Sequence, residues 1–317
     1  MRAWVTGGTG FVGSNVVAEL LAAGVAVHGT IHRTPPTEAA CTWSAVDLAD
    51  APAVRSDVAE AAPDVVVHCA IRNDLVSLST DRRGAWADFV DATRNVVDAA
   101  NASGAQVILV STDWVFDGTQ GPADETEPPR PINSYGLLKF AQERVVAERA
   151  HRGAIARVSG VNGRHRACGS LPRAQDVGFG YLVTALVEAL RARQPFTVWV
   201  AQDINMVATP SLASESARMI LRIAQLGATG VFHCCGGQAV TRRGLAGLAC
   251  EVFDLDEELL RFGPPDPDAL PAEMVPYDTS LDARATAAAL GVELPDARRL
   301  LSLLRAQWSP APTGGTP

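Results

Sequence analysis

Three glycines, Gly7, Gly10 and Gly13, follow the strand-like run Ala3 to Thr6 and open a helical pattern that reaches Ala23. A strand that runs into a helix through such a turn confines the chain to few folds. Gly7 can make the tight turn, Gly10 can admit a phosphate to the backbone, and Gly13 can let helix and strand pack closely. The helix start then offers amide donors and a positive dipole to a pyrophosphate, with Thr9, Phe11 and Val12 completing the turn. The segment predicts a dinucleotide site at the head of a βαβ unit.

The pattern continues in that style. Strands are expected at Ala3–Thr6, Ala26–Ile31, Thr42–Val46, Asp64–Cys69, Val107–Ser111 and Ala154–Val158, separated by helices at Gly10–Ala23, Pro52–Ala61, Arg82–Ser103 and Ser134–His151. Val65 to Val67 and Val107 to Val110 are unbroken apolar runs, as in strands covered on both faces. The fold class is therefore α/β: a Rossmann-type doubly wound parallel sheet with a smaller C-terminal α/β substrate lobe. Residues 1–160 form the dinucleotide-binding domain. Residues 161–308 form mainly the substrate lobe, able to return elements to the first sheet, and the Pro/Gly/Thr tail 309–317 is expected to be disordered. In the second half, helices are expected at Tyr181–Arg193, Ser211–Gln225, Thr241–Phe253 and Leu281–Leu290, with proline-rich connections between Gly263 and Pro276.

Composition excludes several function classes. With 317 residues, 47% hydrophobic and 20% charged, the chain can bury a large core. A formal charge of -8 argues against nucleic acid or anionic lipid as partners. No apolar run of 18 residues and no signal-peptide pattern occur, which points to a cytoplasmic protein without a membrane partner. The six cysteines have no metal-site spacing. His233, Cys234 and Cys235 are adjacent in a strand-like stretch, so their side chains diverge, and no metal is expected.

The strand after the glycine helix ends at Ile31, His32 and Arg33, with no acid to bind the ribose hydroxyls. Arg33 can pair with a 2′-phosphate, which makes NADP(H) the preferred cofactor and NAD(H) the alternative. Asp47 and Leu48, after the third strand, are candidates for the adenine edge. Cys69, Ala70 and Val158, at later strand ends, complete the expected cofactor wall.

Two further motifs carry a family resemblance. Thr6 to Gly13 is similar to the glycine motif of short-chain dehydrogenases, and Tyr135-Gly136-Leu137-Leu138-Lys139 to their Tyr-x-x-x-Lys motif. Val110-Ser111-Thr112-Asp113-Trp114-Val115-Phe116-Asp117-Gly118 and Pro131-Ile132-Asn133-Ser134 resemble the dTDP-4-dehydrorhamnose reductases, an extended short-chain family. A helix puts Tyr135 and Lys139 on one face, where the ammonium lowers the phenol pKa. The resemblance implies hydride transfer to a carbonyl carbon, with Tyr135 as the acid, Thr112 holding the oxygen, and Lys139 on Tyr135 and the nicotinamide ribose. Ser111 is the competing hydroxyl.

The resemblance implies a nucleotide-linked 4-keto-6-deoxy sugar, such as a dTDP-sugar, as substrate, and a homodimer formed through the helices that flank the sheet. Asp113, Trp114, Gly160, Asn162 and Arg164 are candidate substrate residues. The loop bearing Arg164, His165, Arg166 and Arg173 suits a nucleotide diphosphate. Three departures stand out: Phe89 occupies the place of an expected Asn, Trp114 that of a tyrosine, and Gly160 that of an aromatic. The last leaves a small keto metabolite as an alternative substrate. A non-catalytic cofactor-binding subunit, like one associated with methionine adenosyltransferase, is the alternative outside enzymes.

Overall fold

The computed structural model describes residues 1–308 apart from 33, 37, 73 and 169–174. Arg33, Arg173 and the tail 309–317 lie outside the described residues. The first half supplies β1 (Arg2–Thr6), α1 (Phe11–Ala22), β2 (Ala26–Ile31), β3 (Thr42–Ala45), α2 (Ala51–Ala61) and β4 (Val65–His68). It continues with α3 (Leu75–Thr80), α4 (Arg82–Trp86), α5 (Ala92–Ser103), β5 (Gln106–Thr112), α6 (Ser134–Arg149) and β6 (Gly153–Val158).

The second half adds β7 (Val161–Asn162), α7 (Leu182–Arg191), β8 (Phe196–Trp199), β9 (Val207–Ala208), β10 (Ser211–Leu212), α8 (Ala213–Leu226) and β11 (Gly230–His233). After these come β12 (Val240–Thr241), α9 (Arg242–Phe253), β13 (Leu260–Gly263), β14 (Asp278–Thr279), α10 (Arg284–Leu290) and α11 (Ala297–Trp308).

Seven parallel strands form the main sheet in the order β11-β6-β5-β4-β1-β2-β3, the doubly wound class expected. All residues of β4 and β5 are buried, as their apolar runs require. One face packs on α1 and α8 through Val16, Val17, Leu20, Ile220 and Ile223. The other packs on α2, α5 and α6 through Val54, Val58, Val96, Val97 and Val146. A separate core of Leu182, Leu186, Val198, Leu245, Phe253 and Leu304 holds the second lobe. Among the described residues, no helix is long and apolar enough to cross a membrane.

Local chemistry sets the helix ends. Asp50 caps α2 by accepting from the Ala53 amide, and Asn133 caps α6 by accepting from Gly136 at 2.8 Å. Gly104 ends α5 with φ +73°, a conformation that suits glycine.

Two differences from the sequence expectation matter for the site. The single helix expected over Arg82–Ser103 is instead α4, a π-helical turn at Ala87–Asp91, and α5. The wider turn turns the Phe89 carbonyl toward side chains, and it accepts from Thr93 Oγ1 at 2.6 Å and Gln142 Nε2 at 3.2 Å. Helices α3 and α11 lie outside the expected set; α11 buries Leu300, Leu301 and Leu304 on one face.

Candidate active site

Strand ends β1, β4, β5 and β6 lie side by side at one edge of the sheet, where a doubly wound fold gathers its ligand groups. At β1, Gly7 has φ +60°, and a Cβ there would come within 2.9 Å of the Ala70 Cα. A Cβ on Gly13 would sit 2.1 Å from the Gly7 carbonyl oxygen, so both positions demand glycine. Helix α1 starts at Gly10 with no side-chain cap, in contrast to α2 and α6. A bare helix start beside a glycine turn fits a pyrophosphate.

Thr9 is buried in this turn, and Phe11 and Val12 are half-buried at the helix start. The amides of Cys69 and Ala70 both donate to Thr6 Oγ1 at 3.1 Å, which pins the end of β4 against the glycine turn. Burial pushes the Cys69 thiol up to about 12 and keeps it protonated. Val158 is buried at the end of β6. Asp47 is exposed and accepts from the Ala49 amide, while the Leu48 carbonyl accepts from Asn95 Nδ2 at 2.9 Å.

Residues 164–166 of the expected basic loop lie against the start of α1. Asn15 Nδ2 donates to the Arg164 carbonyl at 3.0 Å, and Arg166 Nε donates to Asn15 Oδ1 at 3.3 Å. The Phe11 ring lies 5.9 Å from the His165 ring and 5.0 Å from that of Tyr181. Residues 164–166 thus strap the start of α1. Asn15 and Ser14 were not legible as site residues; their only signal is an adjacent polar pair in the first turns of a mainly apolar helix.

At the end of β5 the two hydroxyls part company. Ser111 points away from the cleft and donates to Glu143 Oε1 at 2.6 Å, beside the buried Arg157–Glu143 ion pair. Thr112 donates to Asp113 Oδ1 at 3.0 Å and accepts from the Trp114 amide at 3.2 Å. Asp113 is buried and also accepts from Ser159 at 2.8 Å and Thr279 at 2.6 Å. Burial raises the pKa of its carboxyl, and the three hydroxyl donors oppose that rise.

Tyr135 and Lys139 share one face of α6. The Tyr135 ring meets Trp114 edge-on at 5.9 Å and Phe89 at 6.5 Å. Lys139 is buried, and its Nζ donates to the Val110 carbonyl and Gln142 Oε1, each at 2.7 Å. Desolvation pulls its pKa down to about 8, against the opposing pull of Glu143 and Cys69.

A small cleft over Tyr135 is walled by Leu75, Trp114, Asn133, Pro271, Met274 and Val275. Glu273 anchors that wall by accepting from the Ser134 amide at 2.9 Å and its hydroxyl at 2.5 Å. Composition marked this segment only as a proline-rich connection.

Of the five candidate substrate residues, Trp114 borders the cleft. Asp113 is turned inward. Gly160 has φ +48° and is crowded by Phe179 and Pro210, so no aromatic side chain fits there. Asn162 bridges the Gly160 carbonyl and the Val183 amide, and Arg164 donates to the Gln307 carbonyl on α11.

Comparison with known proteins adds four likenesses. The family model described as RmlD substrate binding domain matches residues 1–307. The chain is 30% identical over 310 residues to the probable low-salt glycan biosynthesis reductase Agl14 of Haloferax volcanii, covering 98% of this chain and 99% of that protein. It is 28% identical over 266 residues to methionine adenosyltransferase 2 subunit beta of Bos taurus, covering 82% and 74%. The crystal structure of dTDP-4-dehydrorhamnose reductase from Bacillus anthracis, in complex with NADP, superposes with a TM-score of 0.78 at 20% identity, covering 96% and 99%. At that identity the superposition speaks for the fold.

Proposed function

The chain belongs to the RmlD substrate-binding-domain family, and from that premise we propose that it is an NADPH-dependent carbonyl reductase of a nucleotide-linked 4-keto-6-deoxy sugar. The observation that carries the reading is the convergence of the uncapped α1 start, Tyr135 and Lys139 on one edge of the sheet. NADPH supplies the hydride when bound.

The chain's own groups do the rest. The glycine turn and the amides at the start of α1 hold the pyrophosphate, under the strap of residues 164–166. Arg33 pairs with the 2′-phosphate. Tyr135 gives its phenolic proton to the oxygen that becomes the alkoxide, and the Lys139 ammonium stabilises the phenolate left behind. Thr112 serves that oxygen by turning its hydroxyl hydrogen away from Asp113. Trp114 and the wall at 271–275 exclude water and hold the sugar face.

The named-reductase relative at 30% identity supports the reductase chemistry. The likeness to methionine adenosyltransferase 2 subunit beta supports a second reading, a cofactor-binding subunit without turnover. One assay separates the two: NADPH titration by fluorescence, then absorbance loss on adding dTDP-linked keto sugars and small ketones. Oxidation with a dTDP-keto sugar is expected. Tight binding without oxidation of any of them favours the second reading, and no binding removes both.

A further inference from the structure

Lys139 is the sole lysine of the 317 residues. A buried ammonium needs fixed acceptors, and here two are supplied by the chain: the Val110 carbonyl and Gln142 Oε1. Gln142 is itself fully buried. Its Nε2 donates to Thr93 Oγ1 at 2.7 Å and to the Phe89 carbonyl at 3.2 Å. The two faces of the carboxamide are thereby assigned, with the carbonyl oxygen toward Lys139.

The network continues in one direction. Thr93 gives its hydrogen to the Phe89 carbonyl, so its oxygen accepts from His68 Nε2 at 3.0 Å. Thr6 Oγ1 takes two amide donors, so its own hydrogen goes to His68 Nδ1 at 2.7 Å. His68 is therefore the neutral tautomer protonated at Nε2, and desolvation, with the charge of Lys139, holds its pKa down to about 3. From Gln142 onward each of these donors has an acceptor, and the network ends on the backbone of Cys69 and Ala70.

Phe89 is an apolar wall where the resemblance implies an Asn; its ring centroid lies 6.0 Å from Lys139 Nζ. We infer that Gln142 is the positioning residue for Lys139, fixing the ammonium on the face of α6 that carries Tyr135 and tying it through Thr93, His68 and Thr6 to the glycine turn. The inference rests on the role given to Lys139 above. The titratable groups coupled to the ammonium are His68 on β4, Cys69 just beyond it and Glu143 on α6, the last neutralised by Arg157, while Tyr135 stands one turn earlier on the same helix. A hydrogen bond to the charged form supports that form, so its loss must lower the lysine pKa.

A single lysine makes this measurable without turnover. Protein grown with ¹³Cε-lysine gives one side-chain signal, whose midpoint can be read by NMR against pH, with circular dichroism to check folding. The wild type is expected to titrate near about 8, below the ordinary value of about 10.4. Gln142→Leu should lower the midpoint by about one pH unit, and Gln142→Glu should raise it by about as much. The basic limb of the kcat profile should move with it. Should Gln142→Leu not fold, Gln142→Glu carries the test alone.

A midpoint in either folded variant equal to that of the wild type overturns the inference. A shifted lysine in a protein that reduces no ketone would overturn the proposed reaction and leave the positioning intact. An unshifted lysine in an active reductase would do the reverse.

Discussion

Trp114 meets Tyr135 edge-to-face, with ring centroids 5.9 Å apart and planes at 79°. Phe89 holds the same phenol from another side at 85°. Two aromatic neighbours leave Tyr135 little rotational freedom, which is what a proton donor needs. Trp114→Ala should therefore lower kcat by about fivefold with unchanged NADPH affinity, since such pairs contribute ~1 kcal/mol. Trp114→Phe should recover most of the loss. Steady-state kinetics and a fluorescence titration check both.

Tyr135→Phe removes the proton and keeps the ring. It should bind NADPH like the wild type while kcat falls by about 10² to 10⁴. An equally active variant in the same assay would remove Tyr135 as the acid.

His68 is buried and neutral, with its pKa lowered to about 3 from an ordinary value of about 6.5. Between those values the unfolded chain binds a proton that the folded chain refuses. Stability is then fully present above about pH 6.5 and is lost as pH falls toward 3, at up to about 1.4 kcal/mol per pH unit. Urea unfolding from pH 4 to 7 should show this slope, and His68→Gln should show less of it by up to one proton. Equal slopes would mean that His68 is not held neutral.

Asn15 ties the loop at 164–166 to α1 with one bond in each direction. Asn15→Ala should weaken NADPH binding by about tenfold, the equivalent of ~1.4 kcal/mol, mainly through faster release. Stopped-flow displacement of NADPH reads that rate directly.

Arg33 is assigned to the 2′-phosphate from sequence. Arg33→Ala should raise KM for NADPH about tenfold and leave that for NADH nearly unchanged. Parallel changes for both cofactors would place the preference elsewhere.

The sheet was legible because Val65–Val67 and Val107–Val110 are short, β-branched-rich apolar runs, which suit strands covered on both faces. The glycine turn and the Tyr135/Lys139 pair were legible because short spacing fixes their geometry. Long-range partners were not. Asp113 meets Thr279 across 166 residues and Asn15 meets the Arg164 carbonyl across 149, and no periodicity marks such pairs. The partners of Asn15, Thr93 and Gln142 are therefore visible only in the fold. The π-turn at Ala87–Asp91 was hidden too, since the flanking helical pattern runs through it unbroken. Helix α11 did leave a signal, the spacing of Leu300, Leu301 and Leu304.

The proposed reaction is hydride transfer from NADPH to a sugar carbonyl. Incubating the protein with [4-²H]NADPH of each stereochemistry and a dTDP-4-keto-6-deoxy sugar, then reading the product by NMR, tests it most directly. One cofactor stereoisomer should place deuterium at C4 of the product sugar, with NADP⁺ formed in equal amount. Full NADPH binding with no deuterium at C4 from either isomer would contradict the account.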